Sequence, residues 1–104
     1  MIGPVDGEGF ERHVLAAPAA IVDFWAPWCK PCEAIEPHLR AIAVERGLAL
    51  VKVDVDAEPG IASQHGVLSL PTVILFVGGE ARATVYGAQP RRRYERAFAP
   101  HLQP

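Results

Sequence analysis

Only two of the 104 residues are cysteine, and no apolar run approaches the roughly 20 residues that a membrane-crossing helix needs. Two cysteines are too few for a secreted disulfide scaffold. In a reducing compartment a close pair points instead to redox or metal chemistry. Charge of one sign is lacking as well: ten basic residues face twelve acidic ones, a formal net charge of −2. Neither the broad positive field that nucleic acid requires nor an acidic tail is present. The opening "MIGPVDGEGF" has no basic start followed by an apolar core, so it does not resemble a secretory signal. No internal repeat, linker or low-complexity segment divides the chain. These absences predict one soluble, cytoplasmic domain over residues 1–104, monomeric and bound to neither nucleic acid nor membrane.

Half of the residues are apolar, enough for a packed core in a chain of this length. Phe10, Val14 and Leu15 lie near helical spacing within residues 8–16, after a stunted N-terminal strand that Pro4 weakens. "AAIVDFWA", residues 19–26, is short, almost wholly apolar and bounded by prolines, as a strand covered on both faces reads. From Cys29 to Arg46, positions 32, 35, 39, 42 and 43 form an apolar stripe that predicts an amphipathic helix ending at Gly47, with Pro37 kinking it. "LALVKVDVD" alternates as a strand and "EPGIASQHG" reads as a short helix. "PTVILFV" and "EARATVYG" flank Gly78-Gly79 as a hairpin. A final helix begins near Pro90, buries Tyr94, Ala97 and Phe98, and ends or frays at Pro100. Its arginine run, "RRRYER", is read as a solvated face, since no aromatic platform or second basic cluster accompanies it. The order implies an α/β fold, a mixed sheet with helices on both faces.

The chemistry concentrates in "VDFWAPWCKPCEAI". Cysteines at i and i+3 on a helix are close enough to bridge and unbridge with little backbone movement. Cys29, at the helix start, faces unpaired N–H groups and the positive end of the dipole, worth about 0.3–1 kcal/mol, and both favour thiolate over thiol. Lys30 adds a neighbouring cation, and Pro31 stiffens the loop where a missing N–H does no harm. Cys32 falls on the apolar stripe and should be shielded, leaving Cys29 as the exposed nucleophile. Spacing alone leaves zinc and simple packing open, but zinc usually wants four ligands, and His13, His38, His65 and His101 are scattered. Asp23 lies within the buried strand, where low dielectric disfavours ionisation and makes the carboxyl a proton store near neutrality. Lys52 alternates with Val51 and Val53. It is either a partner of Asp23 on the same interior face or a solvated lysine.

Together these residues resemble the thioredoxin family over nearly the whole chain. "VDFWAPWCKPC" looks like its active-site strand and loop, "IEPHL" its kinked helix and "VKVDVD" its next strand, and "GVLSLPTVILFVGGE" and "VYGA" continue the likeness. The resemblance implies a central mixed five-stranded sheet, its first strand short, flanked by four helices. It makes Cys29 the attacking thiol, Cys32 the resolving thiol, Asp23 the buried proton carrier and Lys52 its partner. Trp28 becomes the aromatic beside the site. Leu70 and Pro71 become the segment that faces substrate, with Pro71 in the cis form, where pattern alone reads a trans proline starting a strand. Gly87 leaves room for an incoming chain, and Gly79 serves the hairpin turn. The activity implied is reduction of disulfides in protein substrates, with electrons from a separate reductase, since no flavin or nicotinamide fingerprint is present and no cofactor is expected. Lys30 stands where the family commonly has glycine, Pro27 replaces a usually polar residue, and Ser69-Leu70 replace glycine and isoleucine. Redox potential and partner choice are therefore not fixed by the likeness. Its rivals are a binding module of the same shape with dispensable thiols, and a dimer bridged by metal.

Overall fold

β1, Ala19–Trp25, is the axis of the molecule: five of its seven residues are buried and both of its edges are paired. β-Branched and aromatic side chains suit such a pleated surface, and neighbouring prolines stop the run. It pairs in parallel with β2, Ala49–Asp54, and antiparallel with β3, Thr72–Val77. β3 turns through Gly78-Gly79 into β4, Glu80–Tyr86, giving the order β2-β1-β3-β4. The computed structural model describes residues 6–102. Its sheet therefore has four strands rather than the expected five, and the stunted first strand near Pro4 lies outside the described residues.

Alternation along β1 divides the core between the two faces of the sheet. Val22 and Phe24 face Phe10, Val14, Val51, Val53, Ile61 and Phe76. Ile21 faces the opposite way, toward Ile35, Leu39, Ile42, Leu50, Tyr94 and Phe98. Asp23 shares the second face by its position in the strand, and its register partner across the parallel pair is Lys52.

The first face is covered by α1, Gly7–Phe10, and α3, Pro59–Gln64. Asp6 caps α1 by accepting from the Gly9 amide at 2.8 Å, and the helix widens into a π-helical turn over Glu11–Leu15. Phe10 and Val14, four apart, are buried, whereas Leu15 falls off that face and is exposed, contrary to the periodicity. On the second face lie α2, Lys30–Arg46, and α4, Arg91–Phe98. α2 ends at Gly47, whose φ of 66° suits the left-handed closing residue of a helix. Pro37 sits within it. α4 buries Tyr94 and Phe98, each worth about 1.5–3 kcal/mol as apolar surface withdrawn from water, with Ala97 half-buried. Beyond it Pro100 sits in a 3-10 turn, Ala99–His101. The arginine run is solvated as expected, and Arg91 pairs with Glu45 and Glu95.

Candidate active site

Where β1 ends, a tight turn carries the chain into α2, and Cys29 takes the capping position with extended backbone. Its Sγ accepts from the Cys32 amide at 3.3 Å, so the sulfur occupies the place a serine or aspartate oxygen fills in ordinary caps. An anion there is favoured by the same donor and by the helix dipole. Cys29 and Cys32 are joined by a disulfide with their Cα atoms 5.3 Å apart. Pro31 occupies the first turn, where no intrahelical donor is lost. Lys30 projects into solvent, 3.7 Å from Glu33, so part of its field falls on a carboxylate rather than on sulfur. The pair is less open than its expected chemistry suggests. Cys29 and Cys32 are each only 4 % exposed, set in an apolar cluster with Ala26, Trp25, Val55 and Leu70. The expected exposure of Cys29 is not found in this disulfide form, where its side chain is packed into that cluster.

Behind the bridge, Asp23 is buried and its Oδ1 has no hydrogen-bond partner. Desolvation by burial pushes its carboxyl up to about 7, against the lowering pull of Lys52 and with a smaller push from Glu36. Asp23, Cys32, Glu36 and Lys52 line one pocket of about 320 Å³, together with Trp25, Ala26, Pro27 and Glu33. Lys52 enters it from β2, as the same-face reading required. Its hydrogen bond, however, runs to Glu36 Oε1 at 2.6 Å, and its ammonium lies 4.0 Å from the centroid of the Trp25 ring. The expected Asp23–Lys52 pairing is thus one of proximity and charge, with the direct contact going elsewhere. Glu36 escaped the sequence reading because the helical pattern put it on the polar side. The available signal was its spacing: four residues after Cys32, it sits one turn along the same side of the helix.

On the other side of the bridge, Trp28 is 66 % exposed, and its indole N–H donates to Asp56 at 2.7 Å, an anchor that sequence reasoning missed. A groove of about 210 Å³ runs from Trp28 past Val55, Val67, Leu68, Ser69 and Leu70. Leu68 stands in it 96 % exposed. The Leu70–Pro71 peptide is cis, the form that the family likeness implied and pattern alone did not. Gly87, with φ of 78°, donates its amide to the Pro71 carbonyl at 2.8 Å and accepts on its own carbonyl from the Tyr94 hydroxyl at 3.0 Å. A Cβ at Gly87 would meet only Gln89, at 3.7 Å, so space remains above it. Among the described residues no group of three or more histidine, cysteine or acidic side chains is placed to hold a metal ion.

A bridged cysteine pair capping a helix, fed by a central strand that carries a buried acid, defines a thiol–disulfide oxidoreductase on a mixed α/β sheet. Comparison with known proteins makes the assignment specific. The Thioredoxin family model matches residues 2–99. The chain is 42 % identical to a thioredoxin of Streptomyces clavuligerus over 84 % of its own length and 83 % of the relative's. It is 41 % identical to the chloroplastic M-type thioredoxin of Chlamydomonas reinhardtii, over 86 % of this chain and 66 % of that one. A solved thioredoxin variant from Halobacterium salinarum NRC-1 superposes with a TM-score of 0.86 at 28 % identity, covering 99 % of this chain and 88 % of the other. The chain belongs to the thioredoxin family. It is a protein-disulfide reductase whose working pair is Cys29 and Cys32. Among the described residues no helix is long and apolar enough to cross a membrane.

Proposed function

We propose that the residues around the bridge divide the exchange reaction between them, within a single domain over residues 1–104. In the dithiol form Cys29, favoured as thiolate at the helix start, attacks one sulfur of a protein disulfide. A Cys29–substrate disulfide forms and the other substrate sulfur leaves as thiolate. Cys32 then gives its proton to the Asp23 carboxylate, through water admitted by the pocket they share, and attacks Cys29. The intramolecular disulfide forms and the second substrate sulfur departs as thiolate. Two electrons have passed to the substrate, and a separate reductase restores the dithiol. Lys52 tunes Asp23 from the same pocket, and Lys30 and Pro31 shape the loop between the sulfurs. Substrate backbone and side chains rest on Trp28, Leu70 and Pro71, with clearance over Gly87.

The observation that carries this reading is the unpartnered carboxyl of Asp23 opening into the same pocket as Cys32. A monomer acting in the cytoplasm suits the reaction, since dithiols persist there. Replacing Cys32 with serine removes the second attack, so Cys29-linked partners should accumulate as bands that vanish on reduction. Absence of such adducts from a folded variant would refute the scheme. Asp23→Asn should slow release from the mixed disulfide more than its formation, read by single-turnover kinetics.

A further inference from the structure

Glu36 belongs to no step above, yet it holds the lysine that would otherwise be the natural counter-ion of Asp23. Its Oε1 accepts from Lys52 at 2.6 Å and its Oε2 from Arg40 at 3.1 Å, so two cations fix it at the pocket's rim. Lys52 is the register partner of Asp23 on the adjacent strand, which places the two side chains on one face. The ammonium nonetheless ends against Glu36 and the Trp25 ring, and Asp23 Oδ1 is left without a donor. We propose that Glu36 is a positioning residue for proton transfer: it draws the Lys52 ammonium to the outer side of the pocket, leaving Asp23 free to take the Cys32 proton.

Geometry supplies the reason. Glu36 follows Cys32 by four residues, so one face of α2 presents the proton donor and the anchor of the competing cation to a single cavity. A carboxylate locked to an ammonium in low dielectric is a poor base, because protonation must first break the pair. Moving the cation to a half-exposed partner keeps the pocket's charge nearly balanced while Asp23 stays basic. Glu33 of α2 also lines the pocket, Arg40 holds the second oxygen of Glu36, and Tyr94 approaches Asp23 from α4. Across β3 its register partner is the apolar Val73. Glu36 itself is held below its usual range, chiefly by the hydrogen bond from Lys52, and stays ionised while Asp23 titrates.

This inference rests on Asp23 as proton acceptor, and its test reads the acid directly. The carboxyl carbon of Asp23 is titrated by NMR in wild type, Glu36→Ala and Lys52→Met, in the disulfide form. Freed from Glu36, Lys52 turns to Asp23, so the Glu36→Ala midpoint should fall by about one pH unit, and by clearly less in a Lys52→Met background, where only the direct push of the Glu36 charge is lost; equal falls in the two backgrounds would overturn the positioning role. Lys52→Met should move it the opposite way. The pH profile of release from the mixed disulfide should shift toward acid with Glu36→Ala by the same amount. A Glu36→Ala midpoint unchanged or raised would overturn the proposal. Should that variant not fold, Glu36→Gln keeps the shape and removes the charge. It must show a smaller acidward shift, and none would equally overturn it. If Asp23→Asn leaves release unslowed, the mechanism above fails while the titration still decides how Glu36 acts on the carboxyl.

Discussion

Asp23 costs this protein stability at neutral and alkaline pH. An ordinary aspartate titrates at 3.8, and burial lifts this one to about 7. Between those values the folded chain holds a proton that the unfolded chain has released, so stability falls as pH rises through the window and levels off above it. Every tenfold difference in proton affinity between the two states corresponds to about 1.4 kcal/mol. Asp23→Asn, which cannot ionise, should therefore stabilise the disulfide form by an amount on the order of 2–4 kcal/mol more near pH 8 than near pH 3, where the carboxyl is protonated in both states. Denaturant unfolding at the two pH values checks this. A gain independent of pH would mean that the residue is not titrating as its burial dictates. The penalty is the counterpart of the proton-acceptor role proposed above for Asp23 beside Cys32.

At the scale of elements, the hairpin between β3 and β4 shows how two adjacent glycines differ. Both have left-handed φ, 60° at Gly78 and 82° at Gly79. A Cβ on Gly78 would meet nothing, whereas one on Gly79 would lie 2.7 Å from the Leu15 carbonyl oxygen, which belongs to backbone and cannot swing aside. Gly78→Ala should cost about 1 kcal/mol from φ alone. Gly79→Ala should cost at least about twice that, because the turn must also part from the helical segment before β1. Paired denaturation curves for the two variants provide the comparison, and equal losses would contradict the contact. The sequence announced this turn through its Gly-Gly pair, but it held no sign of Leu15, a contact that only the tertiary fold creates. The same division runs through the whole chain. β1, α2 and the Cys29–Cys32 cap were legible because local apolar period, prolines and spacing fix them. Glu36 and Asp56 were not, because each matters through a partner distant in sequence, Lys52 and Trp28; the burial of Tyr94 was legible from the helical period, but the bond from its hydroxyl to Gly87 was not. Leu15 misled because period alone does not say where a helix widens by a residue. The cis bond before Pro71 was legible only through family likeness, since nothing in "LSLPT" distinguishes it from a trans proline.

Across the whole molecule, the two cores respond to acid in opposite senses. The core beneath α1 and α3 meets His65, whose ring lies 5.2 Å from Phe10 and 5.3 Å from Phe76, centroid to centroid. Burial lowers its proton affinity below the ordinary 6.5, so the unfolded chain binds the proton first and stability falls as pH drops below that value. Asp23, in the other core, gains from the same acidification. In wild type the two slopes oppose each other just below pH 6.5, where His65 is losing stability and Asp23 gaining it. In Asp23→Asn only the His65 slope should remain, and adding His65→Leu should flatten it. Thermal melts across that range decide the point: a slope surviving in the double variant would place its origin elsewhere.

The Tyr94 hydroxyl ties α4 to Gly87, and the Gly87 amide ties that turn to Pro71. Through Tyr94, Gly87 and Pro71, α4 braces the segment proposed above to receive substrate, next to Leu70, which packs with the two sulfurs. Lesions near the C-terminus should thus surface as poorer grip on macromolecular partners while small disulfides are turned over much as before.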